Sequence, residues 1–402
     1  MIPFSPPRID DKICDEVVAT LKSGWITTGP RTKLFEKKIT EYCGNKNTIC
    51  LNSATAGLEL MLRWFGVGPG DEVILPAYTY SATANVIIHC GATPVFVDVN
   101  ASDFNISAGE VEKAITAKTK VIMPVDFGGM PCDYIQLNAI AEKSRTGFVP
   151  ASVNQKILGR ILVLSDSAHS FGAEYNGAKA GALTDISVFS FHAVKNLTTA
   201  EGGAVALNLP APFNNEEIYK ALCVTTLHGQ NKDALAKTQR GNWKYDIVEA
   251  GYKCNMTDIT AAIGLVELDR YDNDTLLKRK HIVDTYNQLL GRDKRFELPV
   301  FETKEKKSCF HLYPLRIRNI TEPQRDAMMQ EIFNADVSVN VHFIPVPGMS
   351  FYRNLGYNLA DYKVTCDNFS REISLPVFYD LTDDQIMTVV KAVTAALDKT
   401  TC

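Results

Sequence analysis

Six short apolar runs constrain the fold of this chain more than any other feature. EVIL (72–75), TPVFVDV (93–99), KVIMPV (120–125), RILVLSD (160–166), ISVFSFH (186–192) and GGAVAL (202–207) lack the polar alternation of a half-solvated strand. Strands of that kind need cover on both faces, which predicts a largely parallel sheet between two helix layers. The intervals supply the cover. NSATAGLELMLRWFG (52–66) opens on polar capping residues and then sets Leu58, Met61, Leu62 and Phe65 on one helical face. Ser81–Cys90 and Asp133–Lys143 read as further helices. From about residue 275 the texture changes. A polar helix over Asp274–Leu290 leads to CFHLYPLRI (309–317), a helix over 321–336 and VSVNVHFIPV (337–346). LTDDQIMTVVKAVTAAL (381–397) closes the chain, with Thr382 as cap and acids in its first turn. The expected fold is α/β. A large, mainly parallel-sheet domain covers 1–275, with an N-terminal arm over 1–30, and a smaller C-terminal α+β domain covers 276–402.

Composition narrows the function classes. The 402 residues carry a formal net charge of −4, a poor match for a general nucleic-acid binder. The ten cysteines are scattered, without CxxC or zinc-finger spacing, so no metal site is expected. They read as buried thiols of a reducing compartment. No basic-then-apolar start is present, and no uncharged apolar run nears the roughly 18 residues that cross a bilayer. A cytoplasmic protein without a membrane partner is therefore expected. GVGPG (66–70) precedes its strand, the reverse of the order in a nicotinamide-binding fold, so a dehydrogenase is set aside.

In open α/β sheets, ligands sit beyond the carboxyl ends of the strands. Asp166 ends one such run, and Lys195 lies just past another. The two can share a crevice. They can equally be a turn-capping carboxylate and a solvated amine. NSATAG (52–57) puts small residues at a helix start, either an anion site or an ordinary N-cap.

Six segments then occur in a telling order: SGWITTGP (23–30), NSATAGLEL (52–60), LPAYTYSATAN (75–85), DSAHSFGA (166–173), SFHAVKNLTTAEGGAV (190–205) and GYKCNMTDITAAIGLVEL (251–268). Together they resemble the DegT/DnrJ/EryC1/StrS family of pyridoxal-phosphate sugar aminotransferases. VHFIPV and ISLPVFYDLTDDQ extend the likeness to the last helix. The resemblance implies fold type I, the aspartate-aminotransferase-like fold, and pyridoxal 5'-phosphate as cofactor. It makes Lys195 the residue that links to the cofactor aldehyde and then moves the proton. It makes Asp166 the partner of the pyridine nitrogen, keeping the ring cationic.

Further roles follow from the same likeness. Tyr80 would stack on the ring, Ser53, Ala54 and Thr55 would hold the phosphate through backbone N–H groups, and Ser190 would add a hydroxyl. His169 would sit near the ring or serve as a structural histidine. Asn255 would reach the phosphate of a neighbouring subunit, making a homodimer with shared active sites. Relatives often carry Arg there, after an aromatic residue, where this chain has Cys254 and Asn255. Thr28 and Gly29 would line the substrate entrance, and His342 would face the substrate.

The implied reaction carries an amino group from glutamate to a nucleotide-diphosphate keto-sugar, commonly a 4-keto-6-deoxyhexose. Lys232, Lys237, Arg240, Trp243 and Lys244 form either a clamp on the diphosphate or a solvated loop. The segment 144–160 is longer than in relatives, and reads as a decorated loop, an oligomer contact or a substrate rim. Two alternatives share the fold: a sugar dehydratase, which usually has His in place of the lysine, and a non-catalytic regulatory homologue, expected to have lost Lys195 or Asp166.

Overall fold

The computed structural model describes residues 1–231 and 244–401. Its main sheet has seven strands: β1 (Asn47–Leu51), β2 (Glu72–Pro76), β3 (Thr93–Val97), β4 (Thr119–Ile122), β5 (Leu162–Asp166), β8 (Ile186–Ser190) and β9 (Gly203–Leu207). A small hairpin, β6 (Glu174–Tyr175) and β7 (Ala178–Lys179), lies between β5 and β8 in sequence and pairs through β6 with β11 (Lys306–Lys307). The sheet order is β1-β9-β8-β5-β4-β2-β3, with β9 antiparallel to both neighbours and every other pair parallel.

Burial on both faces explains the apolar runs. Along β2, Val73 and Leu75 enter one core while Ile74 between them enters another. Along β9, Val205 and Leu207 point one way and Ala204 and Ala206 the other. Successive side chains of a strand face opposite sides, so both sets are largely apolar. Each fully buried Val, Leu or Ile contributes about 1.5–3 kcal/mol.

The C-terminal residues build a second core. β10 (Phe296–Glu297), β12 (Tyr313–Ile317) and β13 (Glu372–Leu375) form an antiparallel sheet in the order β10-β12-β13. The helices Leu276–Leu290, Glu322–Asn334 and Asp383–Thr401 accompany it. The N-terminal arm was expected wholly in the large unit, and its first residues correct that. Ile2 packs in the C-terminal core and bridges Val337, its N–H donating to Asp336 O at 2.7 Å.

The long segment 144–160 has a structural role. It holds a short helix, Val153–Leu158, that satisfies the open end of the helix Ala54–Trp64. Asn154 Nδ2 donates to Trp64 O at 2.7 Å, while Ser152 Oγ and Gln155 Nε2 donate to Phe65 O at 2.8 and 3.1 Å. The last carbonyls of a helix lack partners of their own, and these side chains supply them. Gly66 makes the approach possible: a Cβ there would come within 2.4 Å of Ser152 Cβ, and its φ is +77°.

Candidate active site

The carboxyl ends of β1, β5 and β8 converge on one cavity of about 450 Å³. Ser53, Ala54, Thr55, Tyr80, Asp166, His169, Ser190, Lys195 and His342 all line it. The apposition of Lys195 and Asp166 thus follows from the sheet order: β5 and β8 are parallel neighbours, and both residues sit at or just beyond their carboxyl ends.

Asp166 is 6% exposed and held by two contacts. Thr83 Oγ1 donates to Oδ2 at 2.8 Å, and the N–H of Ala168 donates to Oδ1 at 3.2 Å. Thr83 is itself fixed by Thr79, whose hydroxyl lies 2.9 Å away. Burial raises the carboxyl pKa, while Thr83, the Ala168 N–H and the charge of Lys195 oppose the rise. Lys195 is half-buried. Burial lowers its amine to about 8, against the attraction of Asp166 and Cys309. His169 and His342 are pushed down by burial and then by Lys195, His342 to about 3. The site therefore sets one carboxylate and one readily deprotonated amine among neutral imidazoles.

A pH dependence follows. The free base of Lys195 grows about tenfold per unit as pH rises toward its pKa and levels off above it. Reaction of the apoprotein with pyridoxal phosphate, followed by absorbance, is expected to accelerate up to about pH 8 and then flatten. An ordinary lysine would still be accelerating at pH 10.

The helix Ala54–Trp64 begins at the cavity. Ser53 Oγ caps the N–H of Ala56 at 3.1 Å, leaving the N–H groups of Ala54 and Thr55 without intrahelical acceptors. Gly203 at the start of β9 packs directly on this turn: a Cβ there would lie 2.5 Å from Ala54 N and 2.6 Å from Ser53 C.

Other expected residues lie elsewhere. Thr28 and Gly29 do not line the cavity. The N–H of Gly29 is held by Asp258 Oδ1 at 2.8 Å, and Thr28 Oγ1 donates to Met256 O, so both tether the arm to the start of the helix Asp258–Asp269. Asn255 is also absent from the lining. It bridges Leu51 at the end of β1, and its Nδ2 donates to Thr28 Oγ1 at 2.5 Å. Lys244 is exposed and outside the lining. Lys232, Lys237, Arg240 and Trp243 lie outside the described residues.

The model of the DegT/DnrJ/EryC1/StrS aminotransferase family matches residues 7–394. The chain belongs to this family. Solved aminotransferase structures are similar to it over nearly the whole chain. Spr1654 of Streptococcus pneumoniae, assigned as a sugar aminotransferase, superposes in its PMP form with a TM-score of 0.96 at 46% identity, covering 100% of both chains. PseC of Helicobacter pylori, an aminotransferase involved in the biosynthesis of pseudoaminic acid, gives a TM-score of 0.87 at 28% identity, covering 99% of both chains. The spore coat polysaccharide biosynthesis protein SpsC of Bacillus subtilis is 35% identical over 398 residues, 98% of this chain and 96% of SpsC.

The cavity also contains residues that sequence reasoning passed over. Phe4 and Ser5 of the arm line it, with His192, Glu201, Gly202, His311, Asn340 and Phe343. Ser5 Oγ donates to Val194 O at 3.3 Å, seating the arm beside the Lys195 loop. Asn196, next to the lysine, donates to Cys309 O at 2.7 Å and lies 2.8 Å from His311 Nδ1. His192, Glu201 and Gly202 lie in the quoted segment around Lys195 and Phe343 lies in VHFIPV, whereas Phe4, Ser5, His311 and Asn340 fall outside the quoted family motifs.

Proposed function

We propose that this aminotransferase moves an amino group from glutamate to a nucleotide-diphosphate keto-sugar, a 4-keto-6-deoxyhexose, in amino-sugar or surface-polysaccharide biosynthesis. One observation carries the reading: in a member of this family, Lys195 and Asp166 meet in one cavity at the ends of adjacent parallel strands. The processes named for SpsC and PseC support the sugar substrate.

The cofactor is pyridoxal 5'-phosphate, and the residues present fit it. Spr1654 has been solved in both a PLP and a PMP form, the PLP form matching with a TM-score of 0.94. The helix start at Ala54 and Thr55 offers free N–H groups, and Ser53, Thr55 and Ser190 offer hydroxyls, a donor set suited to a phosphate. Gly203 lets the backbone press against that turn, where any side chain would displace it. When bound, pyridoxal phosphate supplies an aldehyde that takes up amino groups and a ring that withdraws electrons from the adjacent carbon.

The chain's own groups do the rest. Lys195 Nζ, close to half deprotonated near pH 8, takes up and returns a proton. Asp166, oriented by Thr83 and Ala168, places a negative charge for the ring nitrogen. His169, kept neutral by burial, adds a polar wall without a competing cation. Phe4, Tyr80 and Phe343 line the cavity with aromatic rings, and Tyr80 is the one placed to stack on the cofactor ring.

The same reading makes the enzyme a cytoplasmic homodimer with shared active sites. Ile9, Val18, Leu21, Ile26 and Leu34 leave apolar side chains exposed along the N-terminal segment. Among the described residues no helix is long and apolar enough to cross a membrane. The test is a panel of nucleotide keto-sugars incubated with glutamate and followed by mass spectrometry. A nucleotide amino-sugar with 2-oxoglutarate in equal amount is expected. A dehydrated sugar, or bound cofactor without amino transfer across the panel, would replace this reading with the dehydratase or the regulatory homologue.

A further inference from the structure

His342 heads a buried polar chain that the chemistry assigned to Lys195 and Asp166 leaves unused. Its Nδ1 lies 2.9 Å from Ser374 Oγ, and Ser374 donates in turn to Glu372 Oε1. The second carboxylate oxygen of Glu372 accepts the backbone N–H of His342 at 3.1 Å. Carboxylate, hydroxyl and imidazole thus close a ring that grips both backbone and side chain of one residue. Glu372 and Ser374 are 0% exposed and sit two apart on β13, on the same face of the strand. Phe4 stacks on the imidazole at 5.4 Å, and Phe343 meets it edge-on at 5.0 Å. The ring has little freedom to turn.

The direction of the hydrogen bonds decides what His342 offers. Burial pushes Glu372 up to about 8, and above that pH its ionised carboxylate only accepts, so the Ser374 proton is committed to Glu372. The Ser374 oxygen then accepts from His342, which requires the proton on Nδ1. The arginines nearby do not release Glu372 from this task. Arg325 bonds the backbone oxygens of Phe369 and Glu372, and Arg316 bonds Asn368, Ala101 and Glu297. Among the described residues none hydrogen-bonds His342 Nε2, and His342 lines the cavity.

We propose that Glu372, when ionised, and Ser374 are positioning residues that hold His342 as the Nδ1–H tautomer, so that its Nε2 lone pair accepts a hydrogen bond from a hydroxyl of the sugar acceptor. The proposal rests on the keto-sugar reading above and deepens it. An acceptor that lacks the hydroxyl leaves a desolvated nitrogen unpaired, which is how such sites discriminate.

The test uses full-length holoenzyme labelled with 15N-histidine and observed by NMR at pH 9, above the value of about 8 to which burial pushes Glu372. The chain has seven histidines, so the His342 signals are assigned by their loss in His342→Asn. In the parent enzyme Nδ1 is expected to be protonated and Nε2 bare. Ser374→Ala is expected to shift the population toward the Nε2–H form and to raise KM for the keto-sugar about tenfold, with kcat changing less than about threefold. Ser374→Thr restores both, and Glu372→Gln loosens the tautomer as Ser374→Ala does. A protonated Nε2 in the parent enzyme, or an unmoved tautomer in Ser374→Ala, overturns the proposal. Should the tautomer pattern hold while no nucleotide keto-sugar is accepted, the substrate reading fails and the positioning of His342 stands.

Discussion

Replacing Lys195 by alanine is expected to cut amino transfer by at least ~10⁴-fold, the largest effect of any single change in this chain. Two functions disappear together: the covalent hold on the cofactor and the base that moves the proton. No neighbour can substitute. His169 and His342 are held neutral but lack an amine, and Asp166 is tied to Thr83 and Ala168. The fold should survive, because Lys195 lies in a loop and its half-buried side chain belongs to none of the apolar cores. Steady-state turnover with glutamate, alongside circular dichroism, separates lost chemistry from lost structure. Retention of more than about a tenth of the parent rate would contradict the role.

Asp166→Asn is expected to slow the glutamate half-reaction by about 10²–10³-fold, on the scale of removing a preorganised electrostatic contact. The asparagine keeps the shape and still accepts from Thr83 or Ala168. What it loses is the negative charge beside the cofactor ring nitrogen, so a proton there is no longer favoured and the ring draws electrons less strongly. Lys195 also changes. Asp166 is the first group opposing the fall of its pKa, so without that charge the amine should titrate below about 8. Stopped-flow absorbance with glutamate across pH 6–9 measures both consequences. An unchanged rate would mean that the carboxylate only closes the turn after β5.

Much of this architecture was legible because burial forces composition. The runs at 72–75, 93–99, 120–125, 160–166, 186–192 and 202–207 became strands β2, β3, β4, β5, β8 and β9, since a strand covered on both faces is mostly apolar. β1 escaped notice because Asn47, Thr48 and Cys50 dilute its apolar character. The reversed direction of β9 was invisible for a plainer reason: a fully buried strand has the same composition whichever way it runs. VSVNVHFIPV reads as extended, yet it makes only the bridges at Val337 and Asn340, since its polar and apolar groups are drawn to the cavity and the arm.

The site divides in the same way. Lys195 and Asp166 stood out because chemistry-bearing groups fell at strand ends, and the order of motifs named their neighbours. Thr83 lies inside an apolar helix, and Glu372 sits in a short buried strand thirty residues from His342. Their functions depend on partners brought together by folding, which no local pattern announces. The tether of Gly29 and Thr32 to Asp258 joins positions more than two hundred residues apart, which no local pattern announces either.

One amine, that of Lys195, carries the cofactor on this reading. Borohydride reduction of the holoenzyme, followed by digestion and peptide mass spectrometry, measures it directly. The added pyridoxyl-phosphate mass is expected on the peptide containing Lys195 and on no other lysine. A label on any other lysine, or a reduced holoenzyme without label, would contradict it.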